Sequence, residues 1–314
     1  MKPAAAPLNS VGMLGLGIMG SAMSANLLRA GFAVCGYDIV PALRARLRRA
    51  GGRAARSVAD VARRAPVIVT SLPSAAALMA VAAAIAGVRR RGQIVVETST
   101  LPLADKQAAQ RLLARAGVVL LDCPLSGTGA QARTKDLVVL ASGPRAALRR
   151  CRAVFDGFAR AQHDLGAFGN GSKMKFVANL LVAIHNVSAA EAFTLARKAG
   201  LDPQQVYRVI GDGAGGSRMF SVRGPMMVAE DYSDATMKVE VWQKDMKIIA
   251  EFAAALACPT PLFAASAPLY AAAMAAGRAR EDTAAVCAVL GEMAGIRPRR
   301  RAARRKSAKR GRPR

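Results

Sequence analysis

Lys175 stands four residues before Asn179, just past Gly169 and Gly171. If this stretch opens a helix, the spacing puts an amine and an amide on one face. An amine there is a candidate general acid/base. The positive end of the helix, neighbouring Lys173 and some burial would each lower its pKa. On spacing alone a solvated surface lysine is the favoured reading, with the acid/base as its alternative. A second group lies in Asp122-Cys-Pro-Leu-Ser-Gly-Thr-Gly-Ala-Gln-Ala132. Ser126 supplies a hydroxyl, and Gly127 and Thr128 supply backbone N–H groups in a turn, a nest suited to a carboxylate. A plain glycine loop has the same spacing.

A third group is Gly15-Leu16-Gly17-Ile18-Met19-Gly20, directly after an apolar stretch. The first glycine permits a tight turn, the second lets backbone approach a pyrophosphate, and the third allows helix to pack on strand. The N–H groups of the following helix then face the phosphates. Asp38 lies 18 residues beyond Gly20 at the end of the next apolar run. A carboxylate there can accept both ribose hydroxyls and repels a 2′-phosphate, which favours NAD. Arg44 and Arg46 nearby keep NADP as the alternative.

These groups need elements to hold them. Short apolar runs at Val11–Leu16, Ala33–Asp38, Val67–Leu72, Gln93–Glu97, Val118–Asp122, Leu137–Ser142 and Gln162–Leu165 alternate with helical patterns opened by Pro41, Ser57, Ser74 and Pro102. That alternation implies a mainly parallel, doubly wound sheet of the Rossmann type. From Lys173 to Ala199 the spacing predicts one long helix, and helices alone follow to about Ala294. The expected organisation is an α/β N-terminal domain (1–168), an all-α C-terminal domain (169–296) joined to it by the long helix, and a basic disordered tail (297–314).

The 314 residues carry a formal charge of +26, and eleven Lys or Arg without an acid lie between Arg297 and Arg314. Without the tail the charge is +15, so the body is basic in its own right and suits anionic ligands such as cofactor phosphates and carboxylates. Five scattered cysteines and two histidines argue against a disulfide framework and against a metal site, so no metal is expected. No signal peptide is read in Met1–Asn9, and the apolar run 75–88 is too short to span a bilayer. The expectation is a cytoplasmic protein with no membrane contact.

The motifs occur in a telling order: Gly-Leu-Gly-Ile-Met-Gly, Leu72-Pro-Ser, Glu97-Thr-Ser-Thr, Asp122-Cys-Pro-Leu-Ser-Gly-Thr, the 169–179 run and Lys244-Asp245. The chain resembles the β-hydroxyacid dehydrogenases over about residues 10–294. The resemblance implies that Lys175 is the catalytic acid/base, with Asn179 beside substrate and nicotinamide. It implies that Ser126 and Gly127 hold a substrate carboxylate and that Leu72 and Pro73 line the adenosine side. Thr100 would sit near the nicotinamide, and Lys244 would close over the site from the helical domain. A small carboxylate substrate and a homodimer or homotetramer are implied too. Cys123 and Ala178 depart from the commoner family residues.

The reading is an NAD(P)-dependent oxidoreductase acting on a short 3-hydroxy acid. Two rivals stand beside it. One is a catalytically idle fold whose tail makes non-specific polyanion contact, steeply dependent on salt. The other is a 6-phosphogluconate-type decarboxylase, which needs a substrate-phosphate site. Met219, Phe220 and Trp242 are candidates to face the substrate, and a bland ion pair is expected of Lys244 and Asp245.

Overall fold

The computed structural model describes residues 9–88 and 90–296. The tail reading and most of the N-terminal one fall outside them. In chain order the first elements are β1 (Ser10–Leu14), α1 (Ile18–Arg29), β2 (Ala33–Tyr37), α2 (Pro41–Arg49), β3 (Arg53–Ala54), α3 (Val58–Arg64), β4 (Val67–Thr70), α4 (Ala75–Val88), β5 (Ile94–Glu97), α5 (Leu103–Arg115) and β6 (Val119–Asp122). The six strands form one parallel sheet in the order β3-β2-β1-β4-β5-β6. Helix starts follow local chemistry. Pro41 occupies the first turn of α2, and the Ser57 hydroxyl accepts the Asp60 N–H at the start of α3.

One expectation is corrected. Leu137–Ser142 and Gln162–Leu165 do not extend this sheet. Beyond β6 the chain turns at Pro124, which has no N–H to continue a ladder. It then forms β7 (Leu125–Ser126), α6 (Gly129–Arg133), β8 (Val138–Ala141), α7 (Arg145–Phe158) and β9 (Ala161–Asp164). These strands make a second sheet, β7-β8-β9, in which β7 runs antiparallel to β8. An Asp122–Ser142 bridge ties it to the end of β6.

The long helix α8 (Asn170–Lys198) follows, then α9 (Pro203–Asp212), α10 (Arg218–Ala229), α11 (Val239–Ala255), α12 (Pro261–Ala275), a short 3₁₀ turn (Thr283–Ala285) and α13 (Val286–Met293). Apolar cores lie on both faces of the large sheet, and a separate core fills the helical part around Phe176, Ala190, Phe193 and Trp242. Among the described residues α8 alone has the length and apolar composition to cross a membrane, and 44% of that window is buried within the protein.

Candidate active site

The glycine turn is built by close contact. Gly15 has φ +86°, and a Cβ there would stand 2.1 Å from the Ser71 carbonyl oxygen. A Cβ on Gly20 would stand 1.9 Å from the Gly15 oxygen, whereas one on Gly17 would meet nothing within 4 Å. The turn is therefore tight below and open above. Gly17 caps α1 with no side chain, which leaves the first-turn N–H groups without a capping partner. Asp38 closes the other side: Leu16 N–H donates to its Oδ2 (2.7 Å) and Val40 N–H to its Oδ1 (2.8 Å). Arg44 donates to the Asp38 and Ile39 carbonyls and lies 5.4 Å from the Tyr37 ring centre. On the far side Leu72 N–H donates to Ser99 Oγ (2.8 Å), and Pro73 is exposed. A bare turn, free helix N–H groups and a strand-end carboxylate fit a dinucleotide.

Replacing Gly20 with alanine tests this fit. The methyl group must push α1 off the turn, an overpacking that costs about 1–3 kcal/mol. NADH affinity, read by fluorescence titration, is expected to fall by at least roughly tenfold. Unchanged affinity would remove the turn from the binding site.

The loop around Ser126 lies next to this turn. A Cβ on Gly129 would stand 2.6 Å from Ile18 Cγ2, so Ile18 packs on the start of α6. Ser126 is half-buried at the end of β7. Gly127 is hemmed in by Leu137 Cδ2, 2.7 Å from where its Cβ would be. Thr128 N–H is already committed: it donates to Gln131 Oε1 (3.0 Å), and Gln131 Nε2 donates to Asp136 Oδ2 (3.1 Å). Of the three donors expected from the sequence, Ser126 Oγ and Gly127 N–H are the two left uncommitted.

Lys175 lies one turn into α8. Gly169, with φ +97°, caps that helix without a side chain, and the sheet ends supply what is missing. Gly171 N–H donates to Ser142 Oγ (2.9 Å) and Ser172 N–H to Asp122 Oδ2 (2.7 Å). Lys175 is half-buried, and among the described residues its amine makes no hydrogen bond or ion pair. Burial pushes its pKa below the ordinary lysine value; the Asp245 carboxylate opposes this, and the Lys244 ammonium adds to it. The second cation is thus Lys244 rather than Lys173, which is exposed.

The Lys-Asp pair is more than a surface contact. Lys244 Nζ lies 2.8 Å from Asp245 Oδ1 and donates to the Thr100 carbonyl, so α11 reaches the loop after β5. Asp245 is buried, and Asn179 Nδ2 donates to its Oδ2 (3.0 Å). Asp245 was missed as a site residue by sequence reasoning. A signal existed: Trp242, Asp245, Met246 and Ile249 share the helical spacing of a buried stripe. Phe220 and Trp242 do not face a cleft. Phe220 stacks between Phe193 and Tyr207, and Trp242 packs on Tyr270. Met219 Sδ takes an Arg223 N–H.

Sequence reasoning also missed an ion cluster beneath the site. Lys106 Nζ lies 2.6 Å from Glu97 Oε2 and 2.9 Å from Asp122 Oδ1, with all three side chains 0% exposed. Burial pulls the Lys106 pKa down, but the two carboxylates more than offset it and hold it above the ordinary value. No group of three His, Cys, Asp or Glu among the described residues is placed to hold a metal ion.

A dinucleotide-type turn, a serine-glycine loop beside it and a half-buried lysine near the start of α8 fit one class: an NAD(P)-dependent oxidoreductase. The comparisons with known proteins agree. Residues 10–169 match the NAD binding domain of 6-phosphogluconate dehydrogenase, and residues 169–290 match the NAD-binding part of NADP-dependent 3-hydroxyisobutyrate dehydrogenase. An L-threonate dehydrogenase of Cupriavidus necator is 35% identical over 88% of this chain and 94% of its own length. A 3-hydroxyisobutyrate dehydrogenase structure from Salmonella typhimurium superposes with TM-score 0.81 at 33% identity, covering 89% of this chain and 99% of that one. One from Mycobacterium tuberculosis with L-serine gives 0.82 at 29% identity, covering 90% and 99%. The chain belongs to the β-hydroxyacid dehydrogenase family, and its cofactor is NAD or NADP.

Proposed function

We propose that the protein oxidises a short 3-hydroxy acid to its semialdehyde or keto acid, or runs the reverse, with Lys175 as the acid/base and NAD preferred. One observation carries the reading: an unpartnered, half-buried lysine with a lowered pKa near the start of α8, within the fields of Asp245 and Lys244 of α11. Ser126 Oγ and Gly127 N–H take the substrate carboxylate and fix the carbinol carbon, an orientation that supplies much of a rate. The nicotinamide ring, when bound, accepts the hydride. Neutral Lys175 accepts the hydroxyl proton in oxidation, and its ammonium returns it in reduction. Asn179 holds Asp245, and Lys244 draws α11 onto the Thr100 loop. Leu72 and Pro73 line the adenosine side.

The test is NAD and NADP reduction over 3-hydroxyisobutyrate, L-threonate, D-glycerate and L-serine. Turnover of none of them sinks this substrate class. The cofactor preference has its own test. Asp38→Asn removes the charge that accepts ribose hydroxyls, and hydrogen bonds to charged groups contribute about 1.5–3 kcal/mol. KM for NAD is expected to rise roughly tenfold or more while that for NADP falls or holds. A parallel rise for both cofactors would refute Asp38 as the discriminator.

We further infer a cytoplasmic protein with its cofactor domain ending near residue 168. A homodimer or homotetramer is supported by Met174, Val177 and Leu181, exposed together along α8.

A further inference from the structure

We propose that Lys106, with Glu97 and Asp122, is a positioning residue for the dehydrogenase reaction: the buried cluster fixes the first turn of α8 and thereby sets where Lys175 stands. This rests on the reading of Lys175 as the acid/base.

Burying three ions is costly, and well-packed apolar side chains of the same volume usually serve stability as well. What such a cluster adds is direction and distance. One ammonium and two carboxylates leave one surplus negative charge. That surplus faces the positive end of α8, where it is favourable. Asp122 Oδ2 accepts Ser172 N–H and Oδ1 accepts Ser172 Oγ–H, both at 2.7 Å. Because Gly169 offers no side-chain cap, the start of α8 depends on Ser142 and Asp122, and Lys106 holds Asp122. Lys175 follows Ser172 by three residues.

The other arm of the cluster reaches the cofactor side. Glu97 Oε1 accepts Ser99 N–H (2.8 Å), and Ser99 Oγ accepts Leu72 N–H. Next to Ser99 is Thr100, whose carbonyl takes the Lys244 ammonium. Lys244 is in turn the cation that helps to depress the Lys175 pKa. The cluster thus bears on the amine along two routes, through α8 and through the loop after β5.

Two variants test this. Ser172→Ala removes one side-chain link and keeps the backbone cap. Lys106→Met with Glu97→Gln keeps the volume and leaves Asp122 with its hydroxyl and N–H donors. Each is assayed in oxidation with NAD and whichever of L-threonate and 3-hydroxyisobutyrate the wild type oxidises faster. Rates are taken per NADH-binding site across the neutral to alkaline range. A displaced Lys175 is better solvated, so its pKa rises and the alkaline plateau is reached at higher pH. The double variant is expected to lose roughly 10²-fold in kcat and Ser172→Ala several-fold, with KM for the hydroxy acid within about threefold. Unchanged kcat per site overturns the proposal, and so does a loss of rate with the inflection unmoved, which marks a merely structural cluster. If the double variant does not fold, Ser172→Ala decides alone. Lys175→Gln is the control. Normal turnover there removes the acid/base reading itself, whereas an inactive Lys175→Gln beside a wild-type Ser172→Ala removes only this inference.

Discussion

Replacing Lys175 with glutamine is expected to lower kcat by roughly 10²–10⁴-fold, the range for loss of a positioned general acid/base. Glutamine keeps most of the length and polarity of the side chain, but it cannot accept the hydroxyl proton. Cofactor affinity is expected to stay near wild type, because the glycine turn and Asp38 are built on other elements. The pH profile gives the same residue a second signature. Oxidation needs the neutral amine, so kcat rises with pH through the Lys175 pKa and levels off above it. Burial and Lys244 place that pKa below 10.5, so the plateau arrives before an ordinary lysine would allow it. Reduction needs the ammonium and falls over the same interval. Both limbs should vanish in Lys175→Gln; a surviving profile with near-normal turnover would place the proton transfer elsewhere.

Gly171→Ala is expected to damage both stability and rate. A Cβ there would stand 2.4 Å from the Leu140 carbonyl oxygen and 2.6 Å from that of Asp122. Both are strand backbone atoms, one within β8 and one at the end of β6, so neither yields without disturbing a sheet. Alanine favours a helix over glycine by about 1 kcal/mol, but this clash lies at or beyond the 1–3 kcal/mol usual for overpacking. A loss of about 3 kcal/mol or more in chemical denaturation is expected. The helix start must also move by something near an ångström, which costs on the order of a hundredfold in kcat. Gly211→Ala is the control: it lies inside α9 with nothing within 4 Å of its Cβ, so it should be neutral or stabilising. Wild-type melting and turnover for Gly171→Ala would show that the start of α8 is not held as described.

The sequence made the cofactor half readable because its signals are local. A glycine turn, a strand-end Asp38 and proline or serine helix starts each depend on a few neighbouring residues. The long helix, expected over 173–199, spans Asn170–Lys198 for the same reason. What stayed hidden was set by tertiary contact. β3 is two residues long and exists only by pairing with β2. The second sheet arises from the turn at Pro124, while its strands carry the apolar pattern of the first. Lys106 lies at i with Ala109 and Leu113 at i+3 and i+7, a core stripe, but a lysine there reads as a surface residue until its two carboxylates are seen. Thr128 looked like a free donor because the side chain that takes its N–H lies three residues on.

The first turn of α8 is capped by Ser142 and Asp122, and the helix, 29 residues and about 43 Å in all, runs on into the helical core. Neither half is therefore a transferable module. Severing the chain at the 168/169 border would take the cap from the helix and leave the strand-end carboxylate facing water. The protein has separate cores and one continuous helix running from the sheet ends into the helical core, and a graft that swapped its helical half for a relative's would have to carry Asp122, Ser142 and Lys106 along with it.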